Sequence, residues 1–177
     1  MLSWRSPLAD NLLLAVQHNS FWRGYLKQFL PPKEAPFSIH LAVFVEPYLQ
    51  DVLDGRKTVE SRFSARRCAP YDRVQKGDVV LLKKSSGPIV GLCKVSNAWS
   101  YALEKGSWRE IRREYAVDLC AQDPKFWAQR KDASFVTLMR ICEVLPIDPI
   151  KVEKRDRRGW VVLQSASRQL SLGVGKS

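Results

Sequence analysis

The sequence predicts an α+β fold: a small β-barrel of five to six strands, helices on its flank, and a helical extension at the N-terminus. Three observations carry this. Five or six stretches alternate apolar and polar residues with period two or run apolar between turn signals. The N-terminal residues instead place apolar side chains at helical spacing, up to a proline-rich break. A helical insertion falls between the fourth and fifth strand patterns. The simplest division of the 177 residues is a helical extension and Pro-rich linker at 1–36, one domain at 37–164, and a flexible tail at 165–177.

Ser6-Pro7 suits the start of a helix, as N-cap and first helical residue, and Leu8, Leu12 and Val16 form its apolar stripe. A second segment at 21–30 carries Phe21, Trp22, Tyr25, Leu26 and Phe29 at helical spacing, a packing face. Pro31-Pro32 and Pro36 then break the pattern. The extension is compatible with docking on the barrel, with dimerisation or with mobility. A chain beginning near Phe37 is expected to fold alone.

Residues 38–46 alternate well and form the expected first strand. A short helix follows, with Pro47 at its start, Tyr48, Val52 and Leu53 on one side, and Gly55 to end it. Periodicity then switches to two. Val59, Ser61 and Phe63 face one way, and Thr58, Glu60, Arg62 and Ser64 the other, with Lys57 at the turn before them. One face of this strand is therefore polar and carries both an acid and a base. A basic loop comes next, with Arg66, Arg67 and Arg73 around Tyr71. It suits phosphate contact with base stacking, and it equally suits a solvated loop.

Lys76-Gly77-Asp78 is a turn into an apolar central strand at 79–82, and a further strand spans 88–96. Residues 99–118 read as a helix, with Ile111, Tyr115 and Leu119 on one face. Its Arg109 and Arg113 repel at spacing four, which an anionic partner would relieve. Asp123-Pro124 opens a short helix with Phe126 and Trp127. The longest strand pattern, 134–145, is expected to stop at Pro146 and Pro149. Lys151 to Arg158 is a charge-dense loop, and 159–163 is the last strand.

The stretch from Gly55 to Arg62 resembles the signature of the ASCH family, a branch of the PUA-like barrels: Gly, one residue, Lys, two residues, Glu, one residue, Arg. Here it reads Gly55, Lys57, Glu60 and Arg62 without departure. The resemblance covers residues 37–164 and implies a PUA-like barrel that binds RNA or a nucleotide. On that reading Lys57, Thr58, Glu60, Arg62, Arg66, Arg67 and Tyr71 line the ligand site. The resemblance also admits a hydrolase, a ribonuclease or an enzyme similar to amidohydrolases of acetylated cytidine nucleosides, with Lys57 and Glu60 as catalytic residues. The latter enzymes use a Lys, a Thr and a Glu. Their Lys falls on Lys57, but their Thr falls on Glu60, so the nucleophile position is unmatched. Their helix Glu has only Glu110 or Glu114 as loose counterparts. A third implication is a protein-interaction adaptor that uses the N-terminal helices. No cofactor is expected, although a nuclease would bring a divalent metal onto Glu60 and a helix carboxylate.

Composition narrows the field. The net charge of +11, from 29 basic and 18 acidic residues, favours an anionic partner. No apolar run approaches the length of a membrane span, and the start is a poor signal peptide, broken by Asp10 and Asn11. Cys68, Cys93, Cys120 and Cys142 contain no close pair, which argues against a zinc ribbon or a redox pair and for a reduced, cytoplasmic setting. The only histidines are His18 and His40, and His40 reads as a packed strand residue.

Overall fold

The structure is a computed structural model, which describes residues 7–28, 35–104, 106–153 and 157–167. Among the described residues six strands form one sheet: β1 Ile39–Phe44, β2 Val59–Ser64, β3 Val79–Lys84, β4 Ile89–Ala102, β5 Phe135–Ile150 and β6 Trp160–Gln164. Their order is β2-β5-β4-β3-β1-β6, and the sheet curls into a half-barrel. The β1–β3 pair is parallel and the other pairs are antiparallel. The described residues also form five helices: α1 Pro7–Ala15, α2 Ser20–Lys27, α3 Tyr48–Leu53, α4 Ser107–Tyr115 and α5 Pro124–Ala128.

Strand alternation explains the layers. Ile39, Leu41, Val79, Leu81 and Leu92 point to one face, where Leu8, Leu12, Val16, Trp22 and Leu26 of the N-terminal helices cover them. Ala42, Phe44, Val80, Leu82, Cys93 and Val95 point to the other, with Leu49 and Val52 of α3 and Met139 of β5. A third cluster packs Ile111, Tyr115, Phe126 and Trp127 of the helical insertion on Val59, Val136 and Leu138. Trp22 is 1% exposed and its indole donates to Glu143 O at 2.8 Å, while the Tyr25 hydroxyl donates to Gly77 O at 2.6 Å. The aromatic face of α2 thus packs against the domain. The helix start at Ser6, the linker residues 31–34 and the tail beyond 167 lie outside the described residues.

His40 is fully buried, as a packed strand histidine. Trp160 Nε1 donates to its Nδ1 at 3.2 Å, which leaves Nε2 to donate to Asp78 Oδ2 at 2.9 Å. Asp78 also accepts from the Ser38 and Gln75 amides, both at 2.8 Å. The Lys-Gly-Asp turn is therefore an anchor for β1.

Two expected elements change. Residues 99–102 extend β4, where Trp99, Ser100 and Tyr101 pair with Leu138, Thr137 and Val136, and the helix is confined to Ser107–Tyr115. Trp and Tyr favour a pleated, half-buried surface, and a paired neighbour strand overrides the helical reading. β5 likewise runs through Pro146 and Pro149 to Ile150. Its pairing with β2 spans Val59 to Ser64, which leaves the distal end bonded to β4 alone. A proline is tolerated there because one side of the strand needs no amide donor.

Candidate ligand cavity at the open seam of the sheet

β2 and β6 are the two margins of the sheet. Between β2 and the β1–β6 margin lies a cavity of about 380 Å³, lined by residues of β1, β2, the start of α3, α5 and the turns beside them.

The turn after α3 aims the first cavity-lining side chain, Lys57. Gly55 has φ +74, a left-handed conformation that a side chain would strain, and its amide closes on Val52 O at 3.0 Å. The Lys57 amide then returns to Asp51 O at 2.9 Å, and Arg56 pairs outward with Asp51 and Asp54. The Thr58 and Val59 amides both donate to Asp118 O at 3.0 Å, which brings the loop after α4 against the start of β2. Lys57 Nζ consequently donates to Leu119 O at 3.0 Å and sits 5.6 Å from the Tyr48 ring centroid.

The alternation of β2 sets the rest. Glu60 and Arg62 pair with Met139 and Thr137 and share the Met139 face, while Val59 and Phe63 join the helical insertion. Lys57 and Glu60 are 2% and 6% exposed, so the polar face of this strand is not a solvated one. Glu60 holds a cation on each oxygen: Lys57 Nζ at 3.4 Å from Oε2 and Arg62 Nε at 2.8 Å from Oε1. The second is a charge contact without an aligned N–H. Arg62 Nη1 crosses the seam to Val43 O at 3.0 Å and Gly159 O at 3.4 Å, and its guanidinium lies over Phe44 and Trp160 at 4.9 and 5.3 Å.

Burial pushes the Lys57 ammonium below the ordinary lysine range, and Glu60 offsets only part of that fall. On the opposite wall Arg130 is also lowered by burial. Its guanidinium is 3.7 Å from the Phe126 ring centroid, and its Nη1 donates to Phe126 O at 2.7 Å. Three cations thus face one carboxylate among Phe44, Tyr48, Phe63 and Phe126. That combination can take a planar, hydrogen-bonding anion-bearing ligand: aromatic faces for stacking, Glu60 as acceptor, and guanidiniums for phosphate.

Of the expected site residues, the structure brings Lys57, Glu60 and Arg62 together in the cavity. Thr58, Arg66, Arg67 and Tyr71 are not among its lining residues. Thr58 spends its backbone on Asp118 and Ile141, Arg67 and Tyr71 form a separate cluster beyond the end of β2, and Arg66 is exposed in the same loop. Glu110 and Glu114 are exposed on α4 and do not line the cavity either. Arg130 and Gln129 also line the cavity and were not among the expected residues. Their local signal is only a polar run after the short helix. Among the described residues, no group of three or more His, Cys, Asp or Glu side chains could hold a metal ion.

Residues 43–161 match the ASCH domain family. The chain belongs to the ASCH family. Among solved structures it is similar to an ASCH protein from Zymomonas mobilis, with TM-score 0.57 and 12% identity over 72% of this chain and 88% of that one. Two single-residue variants of that protein align likewise, with TM-scores of 0.57 and 0.55 and 11% identity. They cover 73% and 72% of this chain and 90% and 91% of theirs. At such identity the likeness is one of fold, the PUA-like half-barrel. No curated protein matches the sequence. Among the described residues no helix of this ASCH protein is long and apolar enough to cross a membrane.

Proposed function

We propose that this ASCH protein binds single-stranded RNA, taking one nucleotide into the cavity at the seam. One observation carries the reading: a buried carboxylate flanked by two cations sits in a ligand-sized cavity with aromatic walls and a third cation, Arg130, opposite. RNA sequence is read mostly where bases are unstacked and reachable, by stacking and by hydrogen bonds to base edges. Glu60 and Arg62 supply the edge contacts, Tyr48 the face, and Arg130 the phosphate contact. Equilibrium binding of short oligoribonucleotides tests this. The affinity should fall with salt at a slope of about −0.7 for each phosphate neutralised. A binding constant that is flat with salt, or no binding to any oligoribonucleotide, overturns it.

A hydrolytic reading of the same cavity has one feature in its favour, the lowered Lys57 beside Glu60, which suits a general base. An adaptor reading would have to use other faces of α1 and α2, because Leu8, Leu12, Trp22 and Leu26 are spent on the sheet.

A further inference from the structure

The cluster beyond the end of β2 has the chemistry of a nucleotide platform. The Arg67 guanidinium lies 5.8 Å from the Tyr71 ring centroid and 5.4 Å from that of Phe135. The two rings are themselves 5.2 Å apart, edge to face. Arg66 and Arg67 are exposed, and among the described residues neither pairs with a carboxylate. An exposed guanidinium beside two aromatic rings, with no carboxylate partner, offers both a stacking surface and a phosphate contact.

Its position relative to the cavity follows from the register. Arg62 pairs with Thr137, and Ser64 pairs with Phe135. Phe135 therefore stands on the same face as Arg62, two residues along, a separation of about 7 Å at the rise of a strand. The loop that carries the arginines is tied down as well. Ser64 Oγ donates to Arg66 O at 2.8 Å, the Tyr71 amide to Cys68 O at 3.0 Å, and the Asp72 amide to Ser100 Oγ at 3.2 Å.

We propose that Arg67, Tyr71 and Phe135 form a second base-stacking subsite that takes the nucleotide next to the one in the cavity, so that the ligand is a strand rather than a free nucleotide. This rests on the cavity reading above. A run of aromatic and cationic groups along one face is how single strands are held without duplex structure.

The test uses the full chain, a labelled pentaribonucleotide, and unlabelled nucleoside 5′-monophosphates as competitors. The wild-type chain should bind the pentamer about tenfold or more tighter than a monophosphate. Arg67→Ala and Tyr71→Ala should each weaken the pentamer about tenfold while monophosphate binding stays as in the wild type. Tyr71→Phe, which keeps the ring, should retain pentamer binding. Arg67→Lys keeps the charge but loses the planar face, and should also weaken the pentamer. It carries the comparison if thermal unfolding shows that Arg67→Ala is misfolded. Monophosphate and pentamer bound equally, or a pentamer indifferent to these variants, overturns the second subsite and leaves the cavity reading standing. Displacement of the pentamer by polyglutamate at equal charge concentration overturns it too, by showing a general anion surface. A wild-type chain that binds neither RNA probe overturns both readings.

Discussion

Arg62 Nη1 lies 3.0 Å from the carbonyl oxygen of Val43, so a side chain of one sheet margin is bonded to the backbone of the strand beside the other margin. The same guanidinium covers Phe44 and Trp160 and touches Glu60. Arg62 therefore closes the seam and shapes the cavity at once. Arg62→Met keeps an apolar stem over the rings but orphans the Val43 carbonyl and leaves Glu60 to Lys57 alone. Urea denaturation should show a loss of about 2–4 kcal/mol, because a buried charge loses one of its partners. A loss under about 0.5 kcal/mol would show that the seam holds without it.

Lys57 gives a pH dependence of defined sign. Its folded value is lowered from the ordinary 10.5, chiefly by burial, so above the lowered value the folded chain releases this proton before the unfolded chain does. The unfolded state then binds more protons, and stability from this group rises with pH up to about 10.5 and is least below the folded value. Lys57→Met removes the effect. The stability difference, wild type minus variant, should increase from pH 7 into the alkaline range. A difference that stays constant or falls would mean that Glu60 more than compensates the burial.

Glu60→Gln separates a binder from an enzyme. It keeps the shape and removes one negative charge from a cavity that, on the proposed reading, faces phosphate. In a binding site, RNA affinity should hold or improve. In a hydrolase that uses Glu60 as base or metal ligand, binding should survive while turnover falls by about two orders of magnitude or more. Single-turnover assays on RNA and on nucleosides, run beside the binding measurement, distinguish the two.

The parts of this site that were legible in the sequence are local. Gly55 to Arg62 spans one turn and one strand, so the turn conformation and the pleat determine where Lys57, Glu60 and Arg62 point. Arg130 was not legible, because its place depends on α5 packing Phe126 against Phe63 and Tyr48, which are distant in sequence. The burial of Glu60 was hidden for a similar reason: the wall that shields it comes from β1 and α5. Alternation and turn signals gave five to six strands along the chain, while the order β2-β5-β4-β3-β1-β6 depends on long-range pairing. The reach of β4 to Ala102 and of β5 past Pro146 depends on pairing between the two, which no single stretch announces.

The N-terminal helices bear on whether the domain boundary at 36/37 is functional. A chain beginning at Phe37 was expected from the proline break to fold alone, but it would uncover Ile39, Leu41, Val79 and Leu81. It would also lose five buried side chains, Leu8, Leu12, Val16, Trp22 and Leu26. Each stabilises by about 1.5–3 kcal/mol when fully withdrawn from water, and a whole domain is stable by only about 5–15 kcal/mol. The shortened chain should lose its cooperative thermal transition in calorimetry. A sharp transition near the full-length midpoint would show that the helices are dispensable.

Whether the seam cavity holds a nucleotide is read by an NMR titration of the full chain with nucleoside 5′-monophosphates. Saturable shifts are expected at the backbone amides of Glu60, Ser61, Phe63 and Gln129 and at the side-chain signals of Arg62 and Arg130. Signals of α1 should not move. Shifts confined to the exposed arginines of α4, or none at all up to millimolar nucleotide (about the weakest binding worth assigning), would contradict it.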